Sequence, residues 1–360
     1  MSHLGLGMRD LDEGGQGSRG PRGVVVALMA VVVVGALLAG VVLLASRLLG
    51  GTPDDYPGPG TGEVTVEIAQ GATLTEMGDV LAGADVVMTA AAFVSAAKAN
   101  PDAVQIQPGT YVLQQQMSGS QAVLALLDPA SRVTERVTVP EGLRVSKTVA
   151  LLAKKTHLTA KELKAALATP ETLGLPDYAG DNPEGFLFPA TYTLEPATTA
   201  EEQLVAMVDR FDEAAASVDL DQRAADVGLT PYEVVIVASL IQAEGRPDDF
   251  DKVARVIYNR LDQGMRLQLD ATVNYALGRS DLTLSKDDLA VDSPYNTYRV
   301  TGLPPGPINS PGEAALEAAL APAKGPWLYY VTVDPVSGRT KFTDSYAEFL
   351  RFKAEFQATQ

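Results

Sequence analysis

The stretch VVIVASLIQAEGRPDDF, Val234 to Phe250, decides how this chain is read. Val234 to Ile241 is apolar except for Ser239, too continuous for the alternation of a half-exposed strand, and Gly245 and Pro247 follow as helix-ending residues. The pattern predicts a helix over 231–244, apolar on most faces, with Glu244 in its last turn. A carboxylate there faces the partially negative end of the helix dipole, and neighbours such as Ile241 take it out of water. Both influences disfavour the ionised form. That is the direction that lets a carboxylic acid stay protonated near neutral pH and protonate a leaving oxygen. A solvated Glu at a helix end fits this window as well, so the flanking sequence has to decide.

The chain has 360 residues, a length that suits two domains plus a tail or anchor. Its 28 Lys and Arg stand against 45 Asp and Glu, a formal charge of −17 that repels phosphate backbones and excludes nucleic acid as a partner. The absence of Cys removes disulfides, thiolate catalysis and Cys-ligated metal sites. The two His, His3 and His157, are too few for a His-based triad or a His-rich metal site, so neither metal nor cofactor is expected.

Upstream, Gly23 to Ser46 carries no charged side chain, and about 20 apolar residues suffice for a helix to cross the hydrocarbon core. This predicts a transmembrane helix over 23–46, placing the lipid bilayer among the partners. Arg19 and Arg22 precede the span, whereas Asp54 and Asp55 follow it after Arg47, a bias that puts the N-terminus inside the cell and the remainder outside. Residues 1–22, Gly-rich and without apolar periodicity, read as a disordered tail, and 47–62 as a Pro/Gly linker with ordered structure expected from Glu63. Between 63 and 155 a strand, a turn and a Ser/Thr-led helix recur, starting at Val64, near Pro108 and at Val137, which predicts an α+β arrangement. Farther on, helices are expected at 159–168, 199–217, 231–244, 250–263, 311–321 and from Ser345. Strands are expected near Tyr192 and over Trp327–Asp334.

Three stretches surround the opening one: EGFLFPATYTLEPATT from Glu184, DKVARVIYNRLDQGMRLQLDATVNYALG from Asp251, and SPYNTYRVTGLPPGPINSPG from Ser293. Together they resemble the YceG-like endolytic murein transglycosylase family, over roughly 63 to 357. The resemblance implies an α+β protein with one N-terminal transmembrane helix, a LysM-like subdomain over 63–133, and a catalytic domain over 134–357 that cuts peptidoglycan glycan strands internally. It also implies work on nascent strands beside the peptidoglycan synthases. Glu244 stands at the family's catalytic position, whereas Gln242 occupies a place where many relatives carry a second Glu. Gln268, Asp270 and Thr272 match the family's LQ-x-D-x-T pattern, with Ala271 in place of the usual Pro. Tyr295, Asn296, Thr297 and Tyr298 match its YNTY. These seven are candidate contacts to N-acetylated sugars, although each also suits ordinary loop packing, and Asp270 suits a helix cap. Ser310 replaces the usual Asn, with Asn309 one residue earlier. Gly302–Pro307 is expected to form a stiff wall of the cleft, and Arg266 to meet an acidic stem peptide.

A lytic transglycosylase needs a single carboxyl group. It protonates the glycosidic oxygen and then takes the proton from the sugar's own C6 hydroxyl as a 1,6-anhydro ring closes. The carboxylate pair of ordinary glycosidases is not required. Two other readings remain open: a muramidase-type hydrolase with Asp270 as second carboxylate, and a non-enzymatic peptidoglycan-binding or cell-wall synthesis scaffold.

Overall fold

The computed structural model describes residues 53–279, 283–334 and 337–358. The expected transmembrane span at 23–46 lies outside the described residues. Among those described, no single helix is long and apolar enough to cross a membrane. The chain divides into two compact units, Met1–Ser131 and Arg132–Gln360.

In the first unit, β1 (Pro59–Ile68) pairs antiparallel with β2 (Gly109–Met117), and α1 (Leu74–Gly83) and α2 (Ala90–Ala99) lie between them in sequence. A third helix, α3 (Gly119–Leu127), follows. Thr73 and Glu76 close a capping box on α1, and Thr89 and Ser118 cap α2 and α3, satisfying N–H groups that a helix start leaves open. Val66, Ile68, Tyr111 and Leu113 point from the two strands into one core with Leu81 and Phe93. Gly119 is required by space: a Cβ would lie 2.6 Å from the carbonyl oxygen of Ala92, so α2 and α3 approach only because it is absent. The unit begins earlier than Glu63. Asp55 accepts the Gly119 N–H at 2.9 Å and Tyr56 donates to Asp85 at 2.7 Å, which draws the expected linker into the fold.

The second unit starts with β3 (Glu135–Thr138), paired antiparallel with β4 (Thr191–Leu194). Around them stand α4 (Val145–Lys155), α5 (Ala160–Ala166) and α6 (Ala200–Ser217), sharing a core of Leu152, Leu163, Leu187, Leu194 and Leu204. The sequence pattern predicts a Ser/Thr-led helix here, but Ser146 lies inside α4. Arg144 is the N-cap and makes no side-chain cap bond; the Val145 N–H is taken by Glu184 Oε1 at 3.0 Å instead.

The larger core is built on α8 (Pro231–Glu244), which follows the short α7 (Leu220–Arg223). Every residue from Val234 to Ile241 is buried, as an all-round apolar helix requires. Against α8 pack α9 (Phe250–Asp262), α10 (Asp270–Ala276) and α12 (Glu313–Leu320), with α11 (Lys286–Leu289) in the connection. The hairpin β5 (Tyr329–Asp334) and β6 (Arg339–Thr343) and the helix α13 (Tyr346–Gln357) follow. Helices dominate and each sheet among the described residues has two strands, so the mixed α+β class expected from sequence is observed.

Candidate active site

Four elements converge on a cleft of 350 Å³. The end of α8 brings Glu244. The turn before α10 brings Gln268, Leu269 and Asp270, and the hairpin and α13 close the opposite side. Helix α8 stops at Glu244 because Gly245 turns extended and Pro247 opens a separate short turn. Gly245 is again a matter of space, since a Cβ would lie 2.8 Å from the ring of Phe250 at the start of α9.

The Glu244 side chain reaches across to the beginning of α10. Its Oε1 accepts the Ala271 N–H at 3.3 Å and its Oε2 accepts the Tyr330 hydroxyl at 3.0 Å. Glu244 is half-buried where it lines the cleft, and this removal from water pushes its pKa up. The nearby Asp270 charge pushes the same way, whereas the Ala271 and Tyr330 bonds and the Arg260 charge pull it down. The carboxyl group has left the end of its own helix for the first turn of another, where a backbone N–H favours the ionised form. The raised value therefore comes from burial.

The seven other candidates separate into two groups. Gln268, Asp270 and Tyr298 line the cleft with Glu244. Asp270 does not cap α10: it is the first helical residue, and its Oδ1 accepts the Tyr298 hydroxyl at 2.6 Å. Gln268 is exposed with φ of 51°, a left-handed conformation that costs a non-glycine residue about 1 kcal/mol or more and persists only where its surroundings impose it. The Gln268 N–H is fixed on the Thr297 carbonyl at 3.1 Å.

Thr272, Asn296 and Thr297 are fully buried, which corrects their expected role as sugar contacts. Thr297 Oγ1 accepts the Leu269 N–H at 2.9 Å and lies 2.9 Å from Thr272 Oγ1. Asn296 donates to the carbonyls of Leu289 and Val291 and accepts the Tyr298 N–H. Their polar atoms hold the 268–271 turn and Tyr298 in place from behind. Tyr295 is half-buried against Tyr275, ring centroids 4.7 Å apart, and is not part of the cleft lining.

The Pro-rich loop Gly302–Pro307, expected to wall the cleft, meets the start of α8, where the Tyr232 hydroxyl donates to the Pro305 carbonyl at 3.4 Å. Just beyond it, Asn309 donates to the Ser239 carbonyl at 2.9 Å and the Ile308 N–H to the Ser239 hydroxyl at 3.1 Å, while Asn309 Oδ1 is buried without a hydrogen-bond partner among the described residues. Gln242 is occupied too, accepting the Gly312 N–H. A second carboxyl group, Glu184, is buried beside α10; it accepts the Tyr275 hydroxyl at 3.2 Å as well as the Val145 N–H, and burial lifts its pKa to about 7.

Sequence reasoning missed Arg260, Tyr329, Tyr330, Tyr346, Phe349 and Lys353 as cleft residues. Arg260 is buried and bridges the two sides, donating to the Leu328 carbonyl at 2.7 Å and to the Leu267 carbonyl. A signal for it was present: an Arg on the helix of the YNRL motif, among residues that bury in the core. Among the described residues no group of three or more His, Cys, Asp or Glu could hold a metal ion.

Known proteins resemble the chain over most of this architecture. The model of the YceG-like family matches residues 66–355. An endolytic murein transglycosylase of Bacillus subtilis is 31% identical over 309 residues, covering 81% of this chain and 84% of that one. One of Streptococcus pneumoniae is 32% identical over 323 residues, 81% of this chain and 58% of its own length. A Listeria monocytogenes protein of known crystal structure, described as YceG-like, superposes with a TM-score of 0.55 at 29% identity, covering 81% of this chain and 99% of that one.

Proposed function

The chain belongs to the YceG-like family, and on that footing we infer that it is a peptidoglycan lytic transglycosylase, a lyase that cuts within glycan strands and uses Glu244 as its single general acid and base. The observation that carries the residue assignment is the setting of Glu244. Burial favours its protonated form, while the Ala271 N–H, the Tyr330 hydroxyl and the Arg260 charge favour the ionised one. A group balanced in this way can give up a proton and take one back in the same cycle.

In the first step the Glu244 proton passes to the glycosidic oxygen as its bond to C1 of N-acetylmuramic acid breaks. The substrate's N-acetyl group supports the electron-poor C1, and Ala271 and Tyr330 hold the carboxylate left behind. In the second step that carboxylate removes the proton of the C6 hydroxyl, whose oxygen bonds to C1 and closes the 1,6-anhydro ring. No water is consumed and Glu244 ends protonated, ready for another cycle. Gln268, Asp270 and Tyr298 contact the sugars from the same cleft, with Asp270 fixed by the Tyr298 hydroxyl.

The uncharged run 23–46 supports a single membrane anchor with the N-terminus in the cytoplasm and both units outside the cell, within reach of nascent glycan and the synthases that extend it. The strand–helix–helix–strand order of the first unit supports a LysM-like role in holding peptidoglycan.

The test is mass spectrometry of long glycan strands incubated with the full chain and with its Glu244→Gln variant. Internal fragments ending in 1,6-anhydro-N-acetylmuramic acid, lost in the variant, are expected. Reducing ends would instead make the protein a hydrolase and turn attention to Asp270, and strands bound but left intact by the unaltered chain would make it a scaffold.

A further inference from the structure

Helix α13 carries Tyr346, Phe349, Leu350, Phe352 and Phe356, yet none of its residues is buried. Such a helix ordinarily hides its apolar face, since exposed apolar area is unfavourable in water. Tyr346 remains 58% exposed and Leu350 47%. Tyr346, Phe349 and Lys353 follow at i, i+3 and i+7, on one face, and all three line the cleft that holds Glu244. Tyr329 from β5 completes a group of three rings, its centroid 5.6 Å from that of Tyr346 and 5.2 Å from that of Phe349. The Arg260 guanidinium backs it, 5.4 Å from the Tyr329 ring.

Charge gives the second observation. Arg339 and Lys341 near this face both pair with Glu355, and Arg351 pairs with Glu348. Arg260 is held by two carbonyls. Lys353 alone among the cleft's cations has no acidic partner or hydrogen bond within the described residues, and it faces a cleft whose acidic groups are Glu244 and Asp270. An unpaired ammonium beside open aromatic rings suits a ligand that is both a sugar and an anion.

We propose that Tyr329, Tyr346, Phe349 and Lys353 form a subsite for a peptide-bearing N-acetylmuramoyl residue, the rings packing against the C–H face of the pyranose and the Lys353 ammonium meeting a carboxylate of the stem peptide. The proposal rests on reading the cleft as a glycan-cleaving site. It moves the expected stem-peptide contact from Arg266, which does not line the cleft, to Lys353. It also makes the protein discriminate strands that carry peptides from strands stripped of them.

The experiment measures binding of the full chain carrying Glu244→Gln, so that no strand is cut, to glycan strands with intact stem peptides and to the same strands after amidase treatment. Peptide-bearing strands are expected to bind about fivefold more tightly, as an exposed ion pair allows. Lys353→Met should abolish that preference without altering affinity for stripped strands, and Lys353→Glu should reverse it. Tyr346→Ala should weaken both ligands about fivefold or more, whereas Tyr346→Phe, which keeps the ring, should not. Equal affinities for the two strands, or a preference that survives Lys353→Met, overturns the role of Lys353. Unchanged binding by Tyr346→Ala overturns the platform. Cleavage is assayed separately with Glu244 intact and replaced: activity that persists in Glu244→Gln refutes the catalytic reading whatever the affinities, and activity lost in that variant with equal affinities refutes the subsite alone.

Discussion

Replacing Glu184 by Gln converts a buried carboxyl group into a neutral group of the same shape, and the structure sets the size of the effect. Glu184 is 8% exposed, and burial raises its pKa from the ordinary 4.5 to about 7 despite the Val145 N–H, the Tyr275 hydroxyl and the Arg144 charge, which all favour ionisation. Between these two values the folded chain holds a proton that the unfolded chain has lost. The contribution of this group to stability is therefore complete below pH 4.5 and disappears as pH rises through 7. Each unit is equivalent to about 1.4 kcal/mol, so the whole difference is about 3 kcal/mol, of which ~2 kcal/mol falls between pH 5.5 and pH 8.5. Denaturant unfolding of both proteins at these two pH values isolates it, because Glu244 and the other titrating groups are common to both. On going from the lower to the higher pH, wild type should lose ~2 kcal/mol more than Glu184→Gln. Parallel slopes for the two proteins would refute the reasoning, and a steeper loss in the variant would reverse its sign.

Two other perturbations test the site. Tyr330→Phe removes a bond to the carboxylate form of Glu244, so the alkaline fall in cleavage rate, which marks loss of the acid's proton, should move to higher pH; a limb that stays in place would exclude Tyr330 as the acid's partner. Thr297→Val leaves the buried Leu269 N–H without its acceptor and should cost about 1–3 kcal/mol, seen as a lower thermal midpoint, with reduced cleavage because the 268–271 turn is released. An unchanged midpoint would mean that the turn is held by other contacts.

The local signals were readable from sequence wherever a single element carried them. Thr159 with Glu162, Thr199 with Glu202 and Thr230 with Glu233 each close a capping box on a helix whose start was expected within a residue of where it lies. Ser345 caps α13 as expected, and the aromatic and β-branched run after Trp327 is β5. Glu244 at the end of α8 was legible for the same reason, because its position depends on Gly245 and Pro247 next door. The partners of its carboxyl group were not legible. Ala271 and Tyr330 reach it through the packing of α10 and the hairpin against α8, which no period of 3.6 or 2 encodes. The YNTY motif shows the converse. Its residue types suit sugars, but burial assigns Asn296 and Thr297 to support and leaves Tyr298 to face the cleft. A motif names the residues that must be kept, and only the fold divides them between contact and scaffold.

The hydroxyl that steadies Glu244 comes from a residue 86 positions later in the chain. At roughly 5–20 residues per second, synthesis separates the two by on the order of ten seconds. During that interval the acid-bearing helix has been made while its hairpin partner has not. A chain interrupted in between holds the α8 acid without β5, β6 or α13, and so without the Tyr330 bond or the far wall of the cleft. The cleft is therefore completed only by the last part of the chain, since Tyr329 and Tyr330 come from β5 and Tyr346, Phe349 and Lys353 from α13.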